Sequence, residues 1–130
     1  MPTSFVATQF AVLEQDGVLT TTLGAPSTEE DDYYLMLQLG LSHTKQDVEL
    51  GMDKPYLEYC GQGWSWYGEI ELFELFRNRV VATMSSRAAA RMKNDGVIGA
   101  EFDLDADEYR ELQQSLERTF RDCSFFVVRP

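Results

Sequence analysis

The chain has 130 residues and a formal net charge of −11, from 22 Asp and Glu against 11 Lys and Arg. This length suits one domain, and 44% hydrophobic residues exclude a disordered chain, so a single domain over residues 1–130 is expected. The acidic excess disfavours nucleic-acid binding and favours a basic protein partner. With no apolar run near the roughly 18 residues of a membrane span and no signal-peptide pattern, we expect no membrane contact and a cytoplasmic protein.

The first half of the chain predicts strands joined by turns and polar loops. Segments rich in β-branched and aromatic residues predict strands at 4–13, 18–23, 33–39 and 56–60. The Asp16-Gly17 pair marks a turn and predicts a hairpin between the first two. Residues 24–32 and 40–54 are polar and predict loops.

The second half predicts a hairpin, two helices and two further strands. Ile70 to Phe76 and Arg79 to Met84 form the hairpin, with Arg77-Asn78 as its turn. Ser85 or Ser86 can cap a short helix ending near Lys93. After a strand at 97–102, Asp105 and Glu108 form a capping box for an amphipathic helix with apolar residues at 106, 109, 112, 116 and 120, and a strand follows at 124–128. The predicted fold class is α+β, an antiparallel or mixed β-sheet with about two helices packed on one face.

No pattern in the sequence predicts a catalytic residue, a metal site or a cofactor. His43 is the only histidine and has no cysteine nearby, which disfavours zinc. Cys60 and Cys123 are expected to be reduced thiols. Gly61-Gln62-Gly63 lacks the rest of a phosphate-binding loop, and the acids at 103, 105 and 107 fail the calcium-loop spacing. Catalysis by carboxylates such as Asp53 and Glu58 is therefore the weakest of the functional hypotheses.

Two groups of residues could instead bind a partner. Tryptophan and tyrosine are frequent at protein interfaces, and an acidic run suits a basic surface, although aromatic residues also fill cores. The predicted partner-binding residues are Glu29, Glu30, Asp31, Asp32, Asp53, Trp64, Trp66 and Tyr67. An alternative anion-binding patch is formed by Arg79, Arg87 and Arg91, within a stretch from 77 to 93 that contains no acid.

The middle of the chain resembles the Immunity protein 10 family. The resemblance rests on three segments: Asp47 to Asp53 with its Gly-Met-Asp turn, Tyr56-Leu-Glu-Tyr, and Gly63-Trp64-Ser-Trp-Tyr67-Gly68. It covers roughly positions 33 to 120, and Glu69 stands where the family pattern has a second glycine.

The resemblance implies a bacterial antidote that binds and neutralises a polymorphic toxin encoded nearby. A basic nuclease is one toxin that an acidic surface would suit, since it could occupy the phosphate-binding groove. Exposed sheet edges make a homodimer a further expectation. The alternative function is a small-molecule or anion-binding domain without catalysis.

Overall fold

The computed structural model describes residues 3–25, 33–42, 44–50, 53–60 and 64–129. Within these ranges it has ten strands and three helices, which confirms the predicted α+β class. The strands are β1 (Ser4–Val6), β2 (Gln9–Gln15), β3 (Val18–Ala25), β4 (Tyr33–Gly40), β5 (Tyr56–Tyr59), β6 (Ser65–Tyr67), β7 (Ile70–Leu75), β8 (Arg79–Met84), β9 (Val97–Glu101) and β10 (Phe126–Val128), and the helices are α1 (Lys45–Glu49), α2 (Ser86–Met92) and α3 (Ala106–Thr119).

The strands form two five-stranded sheets. Sheet I has the order β2-β3-β4-β5-β6 and is antiparallel throughout. Sheet II has the order β1-β9-β8-β7-β10 and is mixed, because its two edge strands, β1 and β10, run parallel to their neighbours. The segment predicted as one strand at 4–13 is therefore divided between the sheets. The chain crosses at Ala7, which bonds Glu101 of sheet II, and Thr8, which bonds Gly24 of sheet I.

The predicted turns and caps are present. Asp16 and Gly17 have φ of 54° and 76° and connect β2 to β3, as a two-residue hairpin turn with two positive φ angles requires. Ser85 caps α2 through the Ala88 amide, and Asp105 forms the predicted capping box of α3 with Glu108. Cys60 and Cys123 are free thiols, as expected.

The hydrophobic core is one cluster of buried side chains from both sheets, α2 and α3. The apolar side of α3, with Leu112 and Leu116 fully buried, packs against β2, β3 and β4 of sheet I. Its last turn also reaches sheet II, where the Phe120 ring lies 4.9 Å from that of Phe73. Thr21 of β3 donates a buried hydrogen bond of 3.1 Å to Ser115 of α3. This helix therefore contacts both sheets.

Candidate binding surfaces

Four of the predicted binding residues come together where sheet I passes into sheet II. Trp66 and Tyr67 lie on β6, the edge strand of sheet I, and Arg87 and Arg91 lie on α2. With Glu69 they line an open depression of about 470 Å³. We call it the aromatic groove.

The aromatic groove is shaped by a sharp turn after β6. Gly68 and Glu69 both have positive φ, 76° and 65°, and the Glu69 carbonyl accepts a 2.7 Å hydrogen bond from the Ser85 amide at the start of α2. This places the helix beside the edge strand. The left-handed backbone at Glu69 is one that glycine adopts without strain and other residues adopt less readily.

Two guanidinium groups form one side of the aromatic groove. Arg87 and Arg91 are four residues apart and so lie on the same face of α2. The Arg91 guanidinium lies 5.6 Å from the centre of the Trp66 ring, within the range of a cation–π contact. Arg87 pairs with Glu69 at 3.7 Å, but its side chain is 90% exposed, so this ion pair is weak. The groove therefore carries a small positive excess on an acidic protein.

The other predicted residues are placed elsewhere. Trp64 stacks on Tyr59 with ring centres 6.1 Å apart. Trp64 and Trp66 are both partly buried against the core, which fits the alternative role of these aromatic residues as core residues. Arg79 is separated from α2 by the length of β8, roughly 17 Å, so it does not join Arg87 and Arg91. The acidic run Glu29–Asp32, His43 and residues 61–63 lie outside the described residues.

Asp53 lies in a separate cleft of mixed charge. This cleft, of about 460 Å³, lies between the end of sheet I and the end of α3. Besides Asp53, the charged residues that line it are Lys54, Arg118, Arg121 and Asp122. Both signs of charge are present, so the cleft does not favour a ligand of one charge. No residue lines both this cleft and the aromatic groove.

A cluster of tyrosines around Glu58 was not predicted as a partner surface. Glu58 is only 8% exposed, although it lies on the face of sheet I opposite the side that packs on α3. The hydroxyls of Tyr34 and Tyr56 donate hydrogen bonds to its two carboxylate oxygens, the latter at 2.7 Å. Tyr67, which is 45% exposed, packs on Tyr56 with ring centres 5.0 Å apart and also lines the aromatic groove. We call Tyr34, Tyr56, Glu58 and Tyr67 the tyrosine cluster.

These surroundings change the acidity of the tyrosines. Burial, and next the hydrogen bond to Glu58, raise the pKa of Tyr34 well above its ordinary value of 10.0. The pKa of Tyr56 is raised by the same two causes in the same order. Both hydroxyls therefore stay protonated at neutral pH and act as donors to the carboxylate. The sequence carried one signal for this cluster, because residues 56 and 58 of a strand point to the same face.

An acidic cleft lies near the start of α3. It has a volume of about 500 Å³ and a partly apolar lining that includes Phe10 and Leu23. Its charged lining residues are Glu101, Asp103 and Glu108, with no lysine or arginine among them. Glu108 is already engaged as the capping-box partner of Asp105. The cleft contributes a negative surface without a residue pattern that selects a particular ligand.

The described part of the chain contains no group of three or more His, Cys, Asp or Glu side chains arranged to hold a metal ion. Among the same residues, no helix is both long and apolar enough to cross a membrane.

No curated protein and no solved structure matches the chain. A family model does match it, over residues 6–110, and its description is Immunity protein 10. The match begins at β1 and ends within α3, so it starts earlier and ends sooner than the resemblance read from the sequence, and it includes all the residues of the aromatic groove and the tyrosine cluster. Because the match covers most of the chain, the protein belongs to the Immunity protein 10 family.

Proposed function

We propose that this protein neutralises a cognate polymorphic toxin encoded nearby by binding it and occluding its active site, without catalysis. Membership of an immunity-protein family indicates a toxin-neutralising role. The observation that carries the rest is the aromatic groove, where Trp66, Tyr67 and two arginines meet at an edge strand. Tryptophan, tyrosine and arginine are the residue types most enriched among the residues that dominate binding energy.

The charge of the protein supports a basic toxin surface as the target. A net charge of −11 accelerates the encounter with a basic protein, and this steering weakens with salt. A nuclease is the toxin class that we favour, since its active site is basic in order to hold phosphates. Neutralisation would take place in the cytoplasm, by one domain of 130 residues that does not bind nucleic acid. We also propose a homodimer that forms through a sheet edge.

Co-expression with the product of the adjacent gene tests this function. We expect the neighbour to stop growth when expressed alone, to be harmless together with this protein, and to co-elute with it in size-exclusion chromatography. The elution volume of the protein alone reports whether it is a homodimer. A neighbour that is harmless alone, or that kills regardless of this protein, would refute the proposal for that pair.

Single substitutions then map the contact. Tyr67→Ala and Arg91→Ala should each weaken toxin binding by about tenfold or more if the aromatic groove is at the centre of the interface. Arg121→Ala is the matched control for Arg91→Ala, because Arg121 is also exposed and lies in the mixed-charge cleft instead. Replacing Glu29, Glu30, Asp31 and Asp32 together by Ser tests the acidic run. If that run makes the contact, affinity falls and depends less on salt.

The second candidate function is binding of a small anion between Arg87 and Arg91. Two arginines line the same groove, and one of them, Arg91, lies over the Trp66 ring, which favours it. Inorganic phosphate should then raise the midpoint of thermal unfolding in a saturable way, because a ligand of the folded state stabilises it. The double variant Arg87→Ala with Arg91→Ala should abolish the rise. An unchanged midpoint in the wild type leaves toxin binding as the function.

A further inference from the structure

Glu58 is a buried carboxylate with no cationic partner in the part of the chain that the structure describes. Buried charges in proteins are ordinarily paired with an opposite charge. All eleven lysines and arginines lie within the described residues, and none forms an ion pair or hydrogen bond with Glu58. Its cross-strand neighbours, Met36 on β4 and Ser65 on β6, are uncharged.

The hydrogen bonds of Glu58 leave room for a further donor. An ionised carboxylate offers about four acceptor positions, and the Tyr34 and Tyr56 hydroxyls use one on each oxygen. These two bonds fix the direction of the carboxylate, and hydrogen bonds to a charged acceptor are about twice as strong as neutral ones. Two neutral hydroxyls supply no positive charge, so each carboxylate oxygen has one hydrogen bond and the group has no cationic partner among the described residues.

The surroundings of Glu58 suit the side chain of arginine. The Tyr34 and Tyr56 hydroxyls contact the carboxylate, and the Tyr56 ring lies 5.0 Å from that of Tyr67, which is open to solvent. A guanidinium group is planar, stacks on aromatic faces and binds carboxylates through parallel hydrogen bonds, whereas an ammonium group is more strongly hydrated. Removal of water would strengthen both the stacking on the aromatic ring and the ion pair with the carboxylate.

From these observations we propose that the tyrosine cluster is a receptor for an arginine side chain of the toxin, with Glu58 binding the guanidinium and Tyr67 covering it. This inference rests on the proposed function for the identity of the partner. It adds to that function a specific contact on the outer face of sheet I, beside the aromatic groove with which it shares Tyr67.

The first test uses the isolated protein and needs no toxin. The probe is N-acetyl-arginine methylamide, titrated to about 50 mM while NMR follows the Glu58 carboxyl carbon and the tyrosine ring resonances. We expect saturable shifts in the wild type, none in Glu58→Gln, and none with N-acetyl-glutamine methylamide. A wild type without saturable shifts overturns the receptor, and a response to the corresponding lysine derivative but not to arginine overturns the assignment to arginine.

The second test measures toxin affinity for matched variants. Glu58→Gln should weaken binding by at least about tenfold. Glu71→Gln, which removes one exposed charge from β7 on the other sheet, should change it by less than about twofold. Tyr34→Phe, which removes one of the two hydrogen bonds that orient the carboxylate and lies outside the aromatic groove, keeps the test decisive if Glu58→Gln fails to fold. Equal affinities of wild type, Glu58→Gln and Tyr34→Phe overturn the receptor while the proposed function stands.

The two tests separate the two ideas. If the wild type binds no toxin but the arginine probe shifts the Glu58 resonance in a saturable way, the proposed function fails for that toxin and the receptor stands. Thermal unfolding of each variant, compared with the wild type, shows whether a lost affinity reflects a lost fold.

Discussion

Gly99 and Gly24 both lie inside β-strands, but only Gly99 needs to be a glycine. A Cβ atom added at Gly99 would lie 2.4 Å from the Val80 carbonyl oxygen on the neighbouring strand, which is backbone and cannot move aside cheaply. At Gly24 the nearest atom would be 3.7 Å away, an ordinary contact. We expect Gly99→Ala to lower the free energy of unfolding by about 1–3 kcal/mol, and Gly24→Ala to leave it unchanged or raise it by about 0.5 kcal/mol. Urea unfolding checks both, and equal effects would contradict the close approach of β8 and β9.

The tyrosine cluster predicts a loss of stability in alkaline solution. Burial, followed by the hydrogen bond to Glu58, raises the pKa of Tyr34 and Tyr56 above 10.0, so the folded state holds these protons more tightly than the unfolded state. The resulting stabilisation is fully present below the unfolded pKa and is lost as the pH rises towards and through the folded pKa. Burial also raises the pKa of the Cys60 thiol above its ordinary 9.0, so the stabilisation that this group provides is likewise lost as the pH rises.

Urea unfolding between about pH 8 and pH 11 measures this loss. The midpoint should fall across the interval in the wild type, and it should fall less in Tyr56→Phe, which has no ionisable hydroxyl at that position. A midpoint that is constant or rises with pH would show that the hydroxyl protons are not held in this way.

Residue type alone could not predict the surroundings of Glu58. A glutamate in a short strand is ordinarily exposed. Its burial depends on Tyr34, which is 24 positions away in sequence and reaches it only because β4 pairs with β5. In contrast, Trp66 and Tyr67 could be selected as candidates from residue type, since interfaces favour both types. The arginines beside them reach the groove only because of the turn at Glu69.

At the scale of the element, local chemistry predicted most boundaries. Asp16-Gly17, Ser85 and Asp105 each act on their own neighbours, so their turn or cap could be read directly. Helix α1 was not predicted, because five residues with none buried give no periodic apolar pattern, although Thr44 and Asp47 form a capping box. The division of residues 4–13 between two sheets has no local signal either, since both pieces alternate as strands do.

The link between α3 and sheet I gives a prediction at the same scale. Ser115→Ala removes the acceptor of the buried Thr21 hydroxyl and should cost about 1–3 kcal/mol. Thr21→Val leaves Ser115 bonded to the Leu112 carbonyl and should cost less. The double variant should lose less stability than the sum of the two single losses, and the difference, the coupling energy, should be about 0.5–1.5 kcal/mol. Urea unfolding of the wild type, both single variants and the double variant measures it. Additive losses would mean that the two hydroxyls do not interact.

For the whole molecule, the order in which the strands pair could not be predicted from the sequence. The hairpins β2–β3 and β7–β8 join neighbours in the chain, whereas β1 pairs with β9 from the other end of the sequence. Such a contact is decided by the shared core and by how the two sheets pack, not by the residues of the strand itself. The net negative charge is a property of the whole chain and follows from the sequence. Only the structure shows that the acidic cleft and the positive excess at the aromatic groove lie at different places on the surface.

Because one core joins both sheets, we expect them to unfold together as a single domain. The Phe120 ring at the end of α3 touches Phe73 of sheet II, while the same helix packs on sheet I. Methyl resonances of Val80 and Ile98 report on sheet II, and those of Leu19 and Leu57 on sheet I; all four residues are buried. Their urea transitions should coincide, as two-state unfolding requires. Phe120→Ala should lower the free energy of unfolding reported by both sheets equally, by about 3–5 kcal/mol. The ring packs on Phe73 and Phe126 of sheet II, and the helix that it follows packs on sheet I. If sheet II lost its structure at a lower urea concentration than sheet I, the chain would contain two separately folding units, and the arginines of α2 would not be held rigidly beside Trp66 when the toxin arrives.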